Sequence, residues 1–271
     1  MRERHICTSL HFAGWMLVLL TLVATGCHRG EKGLVDDNYQ LFEQAQQELA
    51  GRKFQAAIRK LGDIGLINPI ETELDPQIKL LLADAYFFQA GTVNVVEAQS
   101  RYEQFLSFYP LHPRSAYARF QVGMCLFLQS EDPENDQEYT YRALRHFDAM
   151  TRDLAADDPW HTAATVMVHK CQDKLAAHEW HVAEFYRRRG FPIGMIHRLQ
   201  RLVDGYPNSR YRERAFFRLA KGLEDRGDLE QARLNLDRLL ADYPSGKLRE
   251  QALALKDAIV TRLEQSKEQG S

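Results

Sequence analysis

The chain has 271 residues, and 35 Lys and Arg stand against 37 Asp and Glu, for a formal net charge of −2. That balance supplies no global attraction for nucleic acid, and a hydrophobic share of 45% is too low for a protein that crosses a membrane many times. Nine prolines and sixteen glycines, with no long polar tract, exclude a largely disordered chain.

Residues 1–26 stand apart from the rest. Arg2 and Arg4 form a small basic start, and Ala13–Val23 is an apolar run too short for a bilayer but right for a secretory signal. It leads into Ala24-Thr25-Gly26-Cys27. Small residues before a Cys resemble the bacterial lipobox, in which the signal is cut ahead of the Cys and the Cys is lipidated with palmitate-type chains. Ala24 stands where that motif prefers Leu, and an ordinary secretory signal cleaved near Gly26 is the alternative. The expected mature chain carries 33 basic and 36 acidic residues over 245 positions, with residues 27–37 a flexible tether. Several acyl chains would hold it firmly to a membrane. His28 replaces the Asp associated with inner-membrane retention, which favours the outer membrane.

From residue 38 the pattern is helical and repeated. A first unit reads Phe54, Ala57-Ile58, Leu61, Ile64 and Pro69; a second reads Ala98, Tyr102, Phe105 and Pro110, with a short insertion around Thr92–Val95. A degenerate third unit holds Gly123, Ala143, Phe147 and Met150, and its acidic insert Ser130–Glu138 is expected to be a solvated loop. The fourth reads Val182-Ala183, Tyr186, Gly190, Ile196, Leu199, Leu202 and Pro207. The last matches the tetratricopeptide pattern best, with Phe216, Leu219, Ala220, Leu223, Gly227, Ala232, Leu236, Leu239 and Pro244. Prolines at 69, 110, 159, 207 and 244 are expected to close the helix pairs. Lys247–Gln265 carries an apolar stripe at Leu248, Ala252, Leu255, Ile259 and Leu263, as a capping helix would. The expected fold is an all-α, tetratricopeptide-like right-handed solenoid of about five helix pairs. It covers residues 38–265, with N-terminal repeats at 38–128, C-terminal repeats at 129–265 and a tail at 266–271.

Chemistry is scarce. No phosphate-binding glycine loop, dinucleotide fingerprint, nucleophile elbow or H-E-x-x-H motif is present. His178 and His181 of the HEWH run share a helix face but lack two further metal ligands. Cys125 and Cys171 read as small buried helix residues, although an oxidising compartment permits a disulfide. Arg187-Arg188-Arg189 ends a helix before Gly190, where cations offset exposed carbonyls. The expectation is therefore a binding protein and not an enzyme. It needs no metal, no nucleic acid and no cofactor beyond a covalent lipid on Cys27. Tyr86, Phe87 and Phe88, then Tyr117, Arg119 and Phe120, are candidate peptide-contact residues, with inter-helix packing as the competing role.

Three segments carry a specific resemblance: the lipobox ending in Cys27, RYEQFLSFYPLHPRSAYARFQVGMCLF (101–127) with its Tyr-Pro-x-His-Pro box, and KLAAHEWHVAEFYRRRGFPIGMIHRLQRLVDGYPNS (174–209). Together they resemble the BamD (YfiO) family of outer-membrane assembly lipoproteins. The resemblance implies a lipid-anchored scaffold on the periplasmic face of the outer membrane, beside a BamA-type β-barrel with POTRA domains. It implies that the N-terminal repeats receive the C-terminal signal of unfolded outer-membrane proteins. Tyr86, Phe87 and Tyr117 would line that groove, with His112 or Arg119 near polar groups. Arg198, with Arg201 and His197 beside it, would dock the POTRA surface. His197 stands where the family has Asn. Arg198→Glu is then expected to abolish docking and leave the helices intact. Accessory lipoproteins of the same machinery are compatible with the resemblance but not required by it. The rival class is another periplasmic repeat scaffold, such as a pilotin for pilus or secretin assembly or a cell-division coordinator.

Overall fold

The computed structural model describes residues 30–67 and 73–269. The signal peptide, Cys27 and Pro69 lie outside the described residues. Eleven helices and no strand occur among the described residues. In chain order they are α1 (Gly30–Ala50), α2 (Phe54–Ile67), α3 (Asp75–Gln89), α4 (Thr92–Phe108), α5 (Ser115–Leu128) and α6 (Glu138–Asp153). α7 (Pro159–Arg188), α8 (Pro192–Gly205), α9 (Arg212–Asp225), α10 (Leu229–Asp242) and α11 (Arg249–Gln269) follow. α1 begins inside the span read from the sequence as a tether. The chain divides into two compact units, Met1–Arg101 and Tyr102–Ser271, and the cut falls within α4.

In the first unit α1 packs on α2 and α2 on α3. Phe42, Ala45, Leu61, Ile64, Leu74 and Ile78 form one buried cluster, and Ala57, Ile58 and Ala85 another. Ala57, Leu61 and Ile64 recur at the spacing that puts one stripe of α2 against its neighbours. The expected insertion at Thr92–Val95 is absorbed as the first turn of α4. Ala90 and Gly91 take positive φ values of 59 and 87°, and the Val95 N–H bonds back to the Gly91 carbonyl at 2.9 Å.

In the second unit each helix packs on the next, from α5 to α11. Leu199, Leu202, Phe216, Leu219, Leu236, Leu239, Ala252 and Ile259 are fully buried in one cluster. Burying each Leu, Ile or Phe there is worth roughly 1.5–3 kcal/mol. The last repeat thus buries its apolar stripe, while the capping helix buries Ala252 and Ile259 and leaves Leu248, Leu255 and Leu263 half-buried. α5 approaches α6 closely at Gly123, where a Cβ would stand 2.5 Å from Phe147 Cε1.

Pro110, Pro207 and Pro244 follow α4, α8 and α10 as expected, but Pro159 opens a helix. It stands at the first position of α7, where its missing N–H would have had no partner in any case. Asp158 caps that end by accepting the Trp160 N–H at 2.7 Å. α7 then continues for 30 residues. Gly190, at φ 74°, ends it in the left-handed conformation that glycine adopts without a Cβ clash, and the Phe191 N–H returns to the Tyr186 carbonyl at 3.0 Å.

Candidate functional site

A buried carboxylate joins α7 to α8. Glu179 is 1% exposed; Arg198 Nη1 lies 3.2 Å from its Oε2 and Arg201 Nη2 lies 3.0 Å from its Oε1. Arg198 and Arg201 stand three residues apart on α8, so both reach the same side of the helix. A carboxylate taken out of water at this depth requires such compensation. The Arg198 side chain is 28% exposed and that of Arg201 58%, so both present surface beyond the contact with Glu179. His197 is exposed beside them. Close by, Tyr206 Oη meets Tyr141 Oη at 3.5 Å. Burial first, then Tyr141 and Glu179, push the Tyr206 phenol above its ordinary value against the opposing pull of Arg201.

Arg198 is a structural ligand of Glu179 as well as a surface cation, so Arg198→Glu, which would set a second carboxylate against a buried one, is expected to disturb the helices as well as any docking at this face. The HEWH run drew attention to its histidines and concealed the glutamate between them.

Those histidines hold a loop. The acidic insert between α5 and α6 is tied to α7 instead of standing free in water. Lys174 Nζ donates to the Ser130 carbonyl at 3.1 Å and to Ser130 Oγ at 2.6 Å. His178 Nδ1–H donates to the Pro133 carbonyl at 2.8 Å, and His181 Nδ1 sits 3.6 Å from Glu134. Inside the loop, the buried Gln137 amide donates to the carbonyls of Asp132 and Asn135. No group of three or more His, Cys, Asp or Glu side chains suited to a metal ion occurs among the described residues. Cys125 and Cys171 are buried free thiols, and burial pushes each up to about 12.

The peptide-groove candidates fall in both units. Tyr86, in the first, packs against the cluster of Ala57, Ile58 and Ala85, while Phe87 meets Phe88 edge-on at 5.5 Å. Phe88 is 50% exposed and borders a cavity of about 570 Å³ that Leu49, Arg52, Phe54 and Leu81 also line. The walls of this cavity come from three helices and so leave no local pattern in the sequence. In the second unit, His112 Nδ1 accepts the Arg114 N–H at 3.1 Å and its ring meets Phe105. Tyr117 lies between Tyr102 and Trp160, with Gln121 donating to its hydroxyl at 3.0 Å. Arg119 pairs with Asp153 at 2.6 Å, and His146 Nε2–H donates to the Arg119 carbonyl at 2.7 Å. Each of these three side chains therefore has packing or hydrogen-bonding duties within its own unit.

No described helix is long and apolar enough to cross a membrane. A family model for YfiO, described as an outer membrane lipoprotein, matches residues 35–232. The outer membrane protein assembly factor BamD of Rickettsia prowazekii (strain Madrid E) is 23% identical over 234 residues, covering 85% of this chain and 91% of that one. The protein of the same name from Neisseria meningitidis serogroup B (strain MC58) is 25% identical over 246 residues, covering 84% and 86%. Among solved structures, the TPR2AB-domain:pHSP90 complex of yeast Sti1 matches over 84% of each chain at 10% identity and a TM-score of 0.41. That likeness is too loose to add to the fold read from the helices themselves.

Proposed function

The chain belongs to the YfiO family of outer membrane lipoproteins, and from that premise we propose that it is a lipid-anchored scaffold for outer-membrane protein assembly. Cys27 carries the lipid and holds the helical units at the periplasmic face of the outer membrane. The α8 face of Arg198, Arg201 and His197 docks a POTRA domain of a BamA-type β-barrel. The first unit receives the C-terminal signal of unfolded outer-membrane proteins. No step of this role needs a cofactor or a reaction at the protein.

One observation supports the docking face above all: two arginines on α8 both pair with the buried carboxylate of Glu179. Their guanidinium forks are ordered before a partner arrives, so less side-chain entropy is lost on binding. An acidic or amide-rich partner surface suits the donors that remain. For the first unit, the cavity beside Phe88 offers apolar walls with Arg52 among its lining residues, a combination suited to an aromatic side chain next to a carboxylate.

Affinity purification of the chain from detergent-solubilised outer membranes tests the reading. A BamA-type barrel in near-stoichiometric yield is the expected result, and Arg201→Ala with His197→Ala should reduce that yield at a stability cost of no more than about 1 kcal/mol. Recovery of a secretin or of cell-division proteins in place of the barrel would overturn it.

A further inference from the structure

Three large apolar side chains stand in water around the α7–α8 turn: Phe185 is 46% exposed, Phe191 60% and Ile193 57%. Between them run Arg187, Arg188 and Arg189. Their position at the end of α7 explains part of that charge, because cations there offset unpaired carbonyls. It does not explain the apolar company. Glu184 takes Arg187 at 2.9 Å and Arg218 at 3.7 Å, and Glu134 faces His181 at 3.6 Å. No ion pair holds Arg188 or Arg189 among the described residues. Arg188 lines a cavity of about 290 Å³ with Glu134, His181, Val182 and Phe185. Arg189 stacks over Phe185, with its guanidinium carbon 5.4 Å from the ring centroid. The local balance is positive, and the exposed apolar groups flank it along the chain.

Surplus arginines beside exposed phenylalanine and isoleucine fit a layer in which phosphates overlie hydrocarbon. Phe191, at the turn, and Ile193, in the first turn of α8, are both more than half exposed, and side chains that stand out from the surface in this way suit a deformable layer better than a shaped protein pocket. Membership of an outer membrane lipoprotein family puts such a surface within reach. We propose that the α7–α8 turn is a membrane-contact site for anionic phospholipid, where Phe191 and Ile193 enter between headgroups and Arg188 and Arg189 bind lipid phosphates. The site is independent of the partner-docking face and needs neither POTRA contact nor substrate.

The test uses the full chain purified from membranes and reconstituted in vesicles of phosphatidylethanolamine and phosphatidylglycerol with brominated acyl chains. Phe191→Trp adds a fluorophore, read as a difference from the mature parent chain with Trp160 and Trp180; Ile193→Trp serves if the first variant misfolds. The added emission should fall by about twofold in brominated anionic vesicles, as acyl-level insertion requires. It should recover in high salt and in a variant that also carries Arg188→Glu and Arg189→Glu. Unquenched emission in anionic vesicles overturns the proposal. Emission that changes only after a POTRA-bearing barrel protein is added also overturns it and assigns the turn to protein docking.

Discussion

Arg198 of α8 reaches Glu179 of α7, its Nη1 ending 3.2 Å from a carboxylate that is 1% exposed. Truncating one partner of such a pair leaves a buried charge uncompensated, which costs about 3–5 kcal/mol. Arg198→Glu should therefore shift the denaturation midpoint sharply, whereas Arg201→Ala, at a side chain 58% exposed, should cost no more than about 1 kcal/mol. Urea titrations of the two variants side by side check this. Equal, small losses would show that either arginine by itself satisfies Glu179.

Gly123 gives a packing prediction. A Cβ at this position would stand 2.5 Å from Cε1 and 2.6 Å from Cζ of Phe147, and Phe147 is itself fully buried. Gly123→Ala should destabilise by about 1–3 kcal/mol through overpacking, despite the helix preference of alanine. Gly123→Ala combined with Phe147→Leu should recover part of the loss in the same thermal melts.

Acidification should weaken the fold through His146. Burial lowers its pKa below the ordinary 6.5, against a smaller upward effect from its bond to the Arg119 carbonyl. The unfolded chain then binds the proton more readily than the folded one, so stability rises with pH up to about 6.5 and falls as pH drops below that value. Melting temperatures measured between neutral and mildly acidic pH should drop for the parent protein and drop less for His146→Gln. Parallel curves would remove His146 as the cause.

Both buried thiols should be inert. With Cys125 and Cys171 pushed up to about 12 by burial, almost no thiolate exists near neutral pH. An aromatic disulfide reagent should leave both unmodified in the native protein and modify both in denaturant. Rapid native labelling at either position would indicate local opening of α5 or α7.

Much of the fold is legible in the chain because apolar periodicity is local. Ala232, Leu236 and Leu239, or Ala252 and Ile259, announce a buried stripe within a few turns, and the structure buries all five. Pro159 misled because proline suits both the residues after a helix and the first turn of one; only Asp158 at the capping position separates the two cases. The loop contacts of Lys174 and His178 link residues 44 and 45 positions apart, and such a separation leaves no short-range pattern to read. Arg198 and Arg201 were visible as surface cations. Glu179 was not, because a carboxylate on a helix looks the same in sequence whether it faces water or a neighbouring helix.

The length of α7 has its own consequence. Trp160, which packs against Tyr117 and Phe120, and Glu179, which holds the two arginines, lie on one uninterrupted helix, roughly 28 Å apart at the usual rise per residue. A rod of that kind does not bend at low cost between the two points. The aromatic packing at Trp160 and the ion pairs at Glu179 therefore share one stiff element, so a displacement of α7 at one end is not absorbed by a bend before it reaches the other.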